Sequence, residues 1–222
     1  MCNHYAASGD WRTRMDVFRQ GATDLFDWTG PRSNVQGDNL YPGHIGEILR
    51  PDGGRLTATS ATWLYMPFTE KGTWANWMKT RRGCNNARGE EADGKWPFRF
   101  AASSGRCLIP GEAFFEWDDG PKGGKTEYRF AYPDGRAFFF AGLCGSASPA
   151  DVGEILTYTM VTKAAGGDTA SIGHKRQPVV LAPDQVRAWL DPDNTVASFA
   201  EAIDPLATFT VTPVKGPKAS AA

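Results

Sequence analysis

Hydrophobic positions along this chain fall into short runs bounded by turn residues, a pattern that predicts strands more often than helices. Arg106–Pro110 and Ala113–Trp117 are apolar runs of strand length, and Asp118–Lys125 is a turn cluster. Glu127–Tyr132 and Arg136–Leu143 flank Pro133-Asp134-Gly135, whose residues predict a β-hairpin. Ile155–Thr162 is a further β-rich run and Ala207–Val214 a last strand. Residues 29–55 are rich in Gly, Pro, Asn and Asp and read mostly as loop, with a short extended piece at Ile45–Leu49. Helical spacing is rarer. Trp11, Met15 and Phe18 stand at i, i+4 and i+7 within Ser8–Gln20, which predicts a short amphipathic helix. Pro183–Leu190 reads as a helix with Pro in its first turn, stopped by Asp191-Pro192, and Thr195–Ile203 as another. The helices are not interleaved one per strand. The expectation is therefore an α+β fold, a single domain over residues 2–214 with a mainly antiparallel, barrel-like β core and a few short helices. Lys215–Ala222 reads as a loose tail.

Composition narrows the classes. The chain has 222 residues, 41% hydrophobic and 12% aromatic, which suits one buried core and excludes wholesale disorder. No apolar run has the length of a membrane span. Met1 to Tyr5 lacks the basic and apolar blocks of a signal peptide, so a cytoplasmic location is expected, nucleoid-associated in a bacterium and nuclear in a eukaryote. With 24 basic and 25 acidic residues the net charge is −1, so a nucleic-acid partner would have to be held by local clustering. The four cysteines (Cys2, Cys84, Cys107 and Cys144) stand far apart and read as reduced thiols.

Four features carry candidate chemistry. If Met1 is removed, Cys2 becomes an N-terminal cysteine with two adjacent nucleophiles. Its α-amine would have a pKa of about 7.7–8.0, so a useful fraction is neutral near physiological pH. Its thiol is strongly nucleophilic once ionised. Such a 1,2-aminothiol condenses with an aldehyde to an imine and closes to a thiazolidine ring; an ordinary residue in a frayed terminus is the plainer alternative. Second, Lys79, Arg81 and Arg82 lead into Asn85-Asn86-Ala87-Arg88, with Trp74 and Trp77 just upstream. Cations for phosphates beside flat rings for bases suit a single-strand groove, although a solvated loop with core tryptophans gives the same pattern. Third, Glu116 lies inside Phe114-Phe115-Glu116-Trp117. Strand alternation sets it opposite Phe115 and Trp117, which favours a solvated face; a partly dry pocket would instead make it a general acid/base. Fourth, His174 precedes an apolar strand in a polar turn and has a pKa range suited to proton transfer, or is a plain surface histidine. A zinc site from Cys2, His4, Cys84 and His174 matches no standard spacing, and no metal or cofactor is expected.

Taken in order, Met1-Cys2, Tyr41-Pro42, Trp63–Pro67, Asn86–Glu90, Arg106–Pro110, Phe114–Trp117, Phe140–Leu143 and His174–Leu181 resemble the SRAP (SOS-response-associated peptidase) family. The similarity runs roughly from Cys2 to Trp189. It implies a DNA-damage-response protein that senses abasic sites in single-stranded DNA and forms a thiazolidine crosslink through Cys2. Peptidase-like removal of residues ahead of the cysteine and a lyase activity are implied with it. On the matching positions, Asn86 would orient the Cys2 amine, and Glu116 and His174 would move protons. Arg88 would bind a phosphate, and Pro42, Trp74, Trp77, Arg81, Arg82 and Arg176 are the other candidate DNA contacts. A monomer is expected. The chain departs from the family at Asn3-His4-Tyr5, where Gly-Arg-Phe or Gly-Arg-Tyr is usual, which removes a phosphate contact and leaves His4 within reach of the reacting centre. Two other readings stand beside this one: an N-terminal-nucleophile amidohydrolase with Cys2 as the attacking thiol, and a single-strand-binding module without a covalent step.

Overall fold

The strands of the computed structural model, which describes residues 2–8, 11–15, 38–121, 124–201 and 209–215, divide between two sheets. The smaller sheet holds β1 (Tyr5–Ala6), β2 (Asn39–Leu40), β7 (Ala113–Trp117), β8 (Glu127–Ala131) and β13 (Thr210–Lys215), in the order β13-β8-β7-β1-β2. The larger holds β3 (Ile45–Asp52), β4 (Arg55–Trp63), β5 (Asn86–Arg88), β6 (Arg106–Gly111), β9 (Phe138–Ala147), β10 (Ile155–Ala164), β11 (Arg176–Pro178) and β12 (Val180–Leu181). Within it the pairings β10-β4-β3-β6-β9 return to β10 and close a ring. All pairings among the described residues are antiparallel except those of β10 with β4 and with β5. The α+β class and the antiparallel core are as expected; the barrel-like part is this ring, with a second, separate sheet beside it. Short helices fill the edges: α1 (Trp74–Thr80), α2 (Gly89–Ala92), α3 (Arg99–Ser104), α4 (Gly167–Ser171), α5 (Gln185–Leu190) and α6 (Val196–Glu201).

The chain departs from the hydrophobic pattern in three instructive places. Pro133-Asp134-Gly135 does turn, with the Gly135 N–H donating to Tyr132 O at 3.0 Å, but the flanking strands do not pair. Strand β8 joins β7 and β13, whereas β9 joins β6, β10 and β12. Phe138, Phe139 and Phe140 explain the split: three consecutive aromatics are buried on both faces of β9. Burying such side chains contributes roughly 1.5–3 kcal/mol each, far more than an isolated two-stranded hairpin offers. The extended piece expected at Ile45–Leu49 is a longer strand, and it forms a hairpin with a strand that begins where the region read as loop ends. Strands β3 and β4 pair from Ile45↔Thr62 to Asp52↔Arg55 around Gly53-Gly54, which have φ of 56° and 83°. Glycine tolerates that left-handed backbone. The Thr and Ser positions of β4 disguised its strand character. Where an amphipathic helix was expected over Ser8–Gln20, Trp11–Arg14 form a single 3-10 turn. Trp11 and Met15 do face the core, while Phe18 lies outside the described residues.

Two junctions set up the functional region. Strand β1 lies against β7 with Tyr5 opposite Phe114, which brings the residues ahead of Tyr5 alongside Phe115 and Glu116. Strand β5 runs parallel to β10 with Asn86 opposite Met160, and β11 packs on the other side of β10 with Gln177 opposite Lys163. The ends of the two sheets therefore deliver Cys2, Asn86, Glu116 and His174 to one neighbourhood.

Candidate active site

Cys2 is fully buried at the entrance to β1. Its S–H donates to the His4 carbonyl at 3.4 Å, and the backbone amides of His4 and Phe115 also point at the sulfur. Two amide side chains grip its backbone: Asn86 Nδ2 donates to Cys2 O at 2.7 Å and Asn85 Nδ2 at 3.2 Å. Asn85 also reaches Asn3 Oδ1 at 2.8 Å, and its own carbonyl accepts from the Trp63 indole at 2.8 Å. Burial pushes the Cys2 thiol well above its ordinary range, and the nearby Glu116 carboxyl adds to the rise. The thiol is therefore stored in its protonated form. Asn86 Oδ1 is buried and has no hydrogen-bond partner among the described residues, so an acceptor faces this pocket.

Glu116 is 3% exposed, whereas Trp117, next on the strand, is 38% exposed. The solvated-face reading of Glu116 is thus corrected: alternation does separate it from Trp117, but β7 turns the carboxyl inward. Burial raises its pKa from 4.5 to about 8, with the like charge of Glu127 contributing. Its Oε2 lies 3.2 Å from His174 Nε2. An ionic pair would lower the glutamate and raise the histidine; here burial raises Glu116 and lowers His174. Desolvation outweighs the pair attraction, and the neutral forms are favoured. The tautomer follows from the other ring nitrogen. His174 Nδ1 lies 2.7 Å from the Arg176 carbonyl, which only accepts, so Nδ1 carries the hydrogen and donates. Nε2 is then a lone pair, and protonated Glu116 donates to it. One proton sits between carboxyl and imidazole, beside a buried thiol, and can be passed to a group bound at Cys2.

The candidate DNA contacts separate into two sets. Pro42 and Arg82 line one cleft of about 450 Å³ together with Asn3, Leu64, Met78 and Asn85, so this cleft opens directly beside the residues that hold Cys2. Arg88 is exposed and, among the described residues, is paired with Glu91 at 3.5 Å. Arg81 is exposed, its guanidinium 5.8 Å from the Trp77 ring and 5.5 Å from the Trp96 ring. By contrast, Trp77 is 3% exposed and its indole donates to Tyr65 O at 3.0 Å, so it is core and not an open stacking surface. Trp74 is half-buried against the same core. Arg176 forms a bidentate pair with Glu90 at 2.8 and 2.9 Å and donates to Thr162 O, a structural commitment in place of a phosphate contact. The His4 side chain stacks between Tyr41 and Phe115, with ring nitrogens 2.9 Å from Asn39 Oδ1 and 3.2 Å from Glu127 Oε1. Asn85 and Asn3 were given no place beside Cys2 by the sequence reading, although the Asn85-Asn86 doublet was a usable sign. Among the described residues no group of three or more His, Cys, Asp or Glu side chains is placed to hold a metal ion.

Fold and site together define a class: a two-sheet α+β protein in which a cysteine near the start of the chain sits buried between asparagine amides and a neutral carboxyl–imidazole pair. The chain belongs to the SOS response associated peptidase (SRAP) family, which it matches over residues 1–217. It is 31% identical over 165 residues to the abasic site processing protein YoaM of Bacillus subtilis, covering 74% of this chain and 70% of that one. The abasic site processing protein YoqW, from Bacillus subtilis and from Bacillus phage SPbeta, is 30% identical over the same share of this chain. A crystal structure from Bordetella bronchiseptica aligns with a TM-score of 0.71 and 26% identity, covering 96% of this chain and all (100%) of that one. One from Bacteroides thetaiotaomicron, at 19% identity, shares the fold with a TM-score of 0.74 over 96% of this chain and 92% of its own.

Proposed function

We propose that this chain processes abasic sites in single-stranded DNA by forming a thiazolidine crosslink through Cys2 once Met1 has been removed. The opened abasic sugar presents an aldehyde. The freed Cys2 amine adds to its carbon, and the resulting carbinolamine loses water to give an imine. The Cys2 sulfur then attacks the imine carbon, the thiol proton passes to nitrogen, and a five-membered ring holds carbon to both N and S. Protonated Glu116 supplies the proton that lets hydroxide leave as water, and His174 Nε2 exchanges it. Asn86 Oδ1 is the acceptor that would hold the freed amine in line, while the Asn86 and Asn85 N–H groups fix the adjoining carbonyl. Arg82, Pro42 and Arg88 would carry the strand past the cleft. The same proton relay can serve peptidase-like release of Met1 and reversal of the imine by a lyase route.

One observation carries this reading: Asn86, whose oxygen has no partner among the described residues, holds the backbone of the buried Cys2, and Glu116, paired with His174, is near enough to act on the thiol. The names of the Bacillus relatives support its coarser part, the processing of abasic sites. Intact mass and denaturing gels with an abasic single-stranded oligonucleotide test it. The mature protein should form a one-to-one adduct, and both Cys2→Ala and acetylation of the Cys2 amine should abolish it. An adduct that survives either change overturns the thiazolidine route. Equal binding to intact and abasic strands without an adduct would favour a plain strand-binding module, and steady amide turnover without DNA would favour a hydrolase.

A further inference from the structure

A pair of cysteines lies away from the residues described so far. The β6–β9 register sets Cys107 opposite Gly142. Cys144 lies two positions further along β9, and side chains two apart share a face, so Cys107 and Cys144 project on the same side of adjacent strands. The Cys107 sulfur sits over Gly142, on the face that Cys144 shares: a Cβ on Gly142 would lie 2.8 Å from Cys107 Sγ and 2.7 Å from Ile109 Cγ1. The two thiols are close enough to perturb one another's ionisation. On the other flank, β3 pairs with β6 through Leu49↔Leu108, and continuing that antiparallel register one step brings Arg50 beside Cys107. Arg50 and Cys144 also line one cavity of about 580 Å³, together with Tyr65, Phe100, Ser104 and Ser146. Cys144 is 5% exposed and Cys107 not at all, so a small molecule in the cavity meets Cys144 first.

From this geometry we infer that Cys144 and Cys107 form a second reactive site, a dithiol that hydrogen peroxide entering the cavity converts to a disulfide. The Cys144 thiolate attacks one peroxide oxygen; the S–O bond forms, the O–O bond breaks, and the other oxygen leaves as hydroxide and takes a proton to become water. Cys107 then attacks the sulfenic sulfur of Cys144. Its sulfur forms the S–S bond, and the displaced hydroxide takes the Cys107 proton as a second water. Two thiols lose two electrons and one hydrogen peroxide gains them. The electrostatics agree: the neighbouring Cys107 thiol, with help from Arg50, holds the Cys144 thiol below its ordinary range, while burial pushes Cys107 up. Burial likewise raises Cys2, and raises Cys84 to about 11, so neither competes as a thiolate.

The test treats the full chain with hydrogen peroxide and follows intact mass and peptide maps without reductant. The expected product is lighter by two thiol hydrogens and carries a Cys107–Cys144 bond. Cys2→Ser should retain this product and Cys144→Ser should lose it. Cys107→Ser should stall at a sulfenic acid on Cys144 that dimedone traps, and Arg50→Gln should slow oxidation about tenfold. An unchanged mass, a bond to Cys2 or Cys84, or an undiminished product in Cys144→Ser would overturn the inference. The map of the unsubstituted chain decides the question even where a variant fails to fold.

Discussion

Two carboxylates reach toward the same short stretch before and within β11, and they end in opposite states. Glu116 meets His174 in a nearly dry pocket, and burial raises its pKa from 4.5 to about 8. Glu90 meets Arg176 at the rim, where burial also pushes upward but the hydrogen bonds and charge of Arg176 outweigh it and lower the pKa. The partner makes much of the difference. Guanidinium cannot surrender its proton and matches a carboxylate with two parallel N–H groups. Imidazole can become neutral, and does so once solvent is withdrawn. The rim pair ties α2 to β11 as a fixed ionic clamp. The pocket pair keeps a proton in play next to Cys2.

Substituting the two glutamates separates these roles most sharply. Glu116→Gln should reduce the rate of adduct formation by roughly 10²–10⁴-fold, the usual range for a general acid/base, whereas Glu90→Gln should leave that rate within about threefold. Single-turnover gels with an abasic oligonucleotide measure both, and equal losses would erase the distinction.

The next largest effect is on stability against pH. Glu116 binds its proton more tightly folded than unfolded, so its contribution is complete below its ordinary pKa of 4.5 and is lost as pH rises toward about 8. His174 resists its proton when folded, so its contribution is lost on acidification below its ordinary pKa of 6.5 and complete above it. His174→Gln should therefore expose a stability that falls between pH 5 and 8, on the order of a few kcal/mol. Glu116→Gln should expose the opposite slope, rising up to about pH 6.5. Urea midpoints across this range check both signs. Glu90→Gln should cost only about 1 kcal/mol, because the partly exposed pair is screened by solvent, and raising salt should shrink that cost in the unsubstituted chain. The smallest change is expected at the cleft. Arg82→Ala and Arg88→Ala should each weaken strand binding and reduce its salt slope by about one, with adduct chemistry at saturating DNA unaltered.

Much of this could be read along the chain. The α+β class, the strands β6, β7 and β10, and the helix ended by Asp191-Pro192 follow from local runs and turn residues. Cys2, Asn86, Glu116 and His174 stood out because thiol, amide, carboxyl and imidazole groups occur there in an order that resembles one family. The β3–β4 hairpin was hidden by polar alternation in β4, and the Pro133–Gly135 turn suggested a pairing that the aromatic run of β9 overrode in favour of another sheet. Trp77 and Arg176 had the right residue types for a strand partner and were claimed by the core and by Glu90.

By itself, then, the order of residues determined which elements form and which chemical groups are on hand. Only the tertiary structure decided which of them meet, and in what protonation state. That division has a physical cause. Strand and turn preferences act over a few neighbours, while the withdrawal of water from Glu116, the orientation of His174 and the grip of Asn85 and Asn86 on Cys2 come from segments far apart in sequence and packed together at the ends of two sheets.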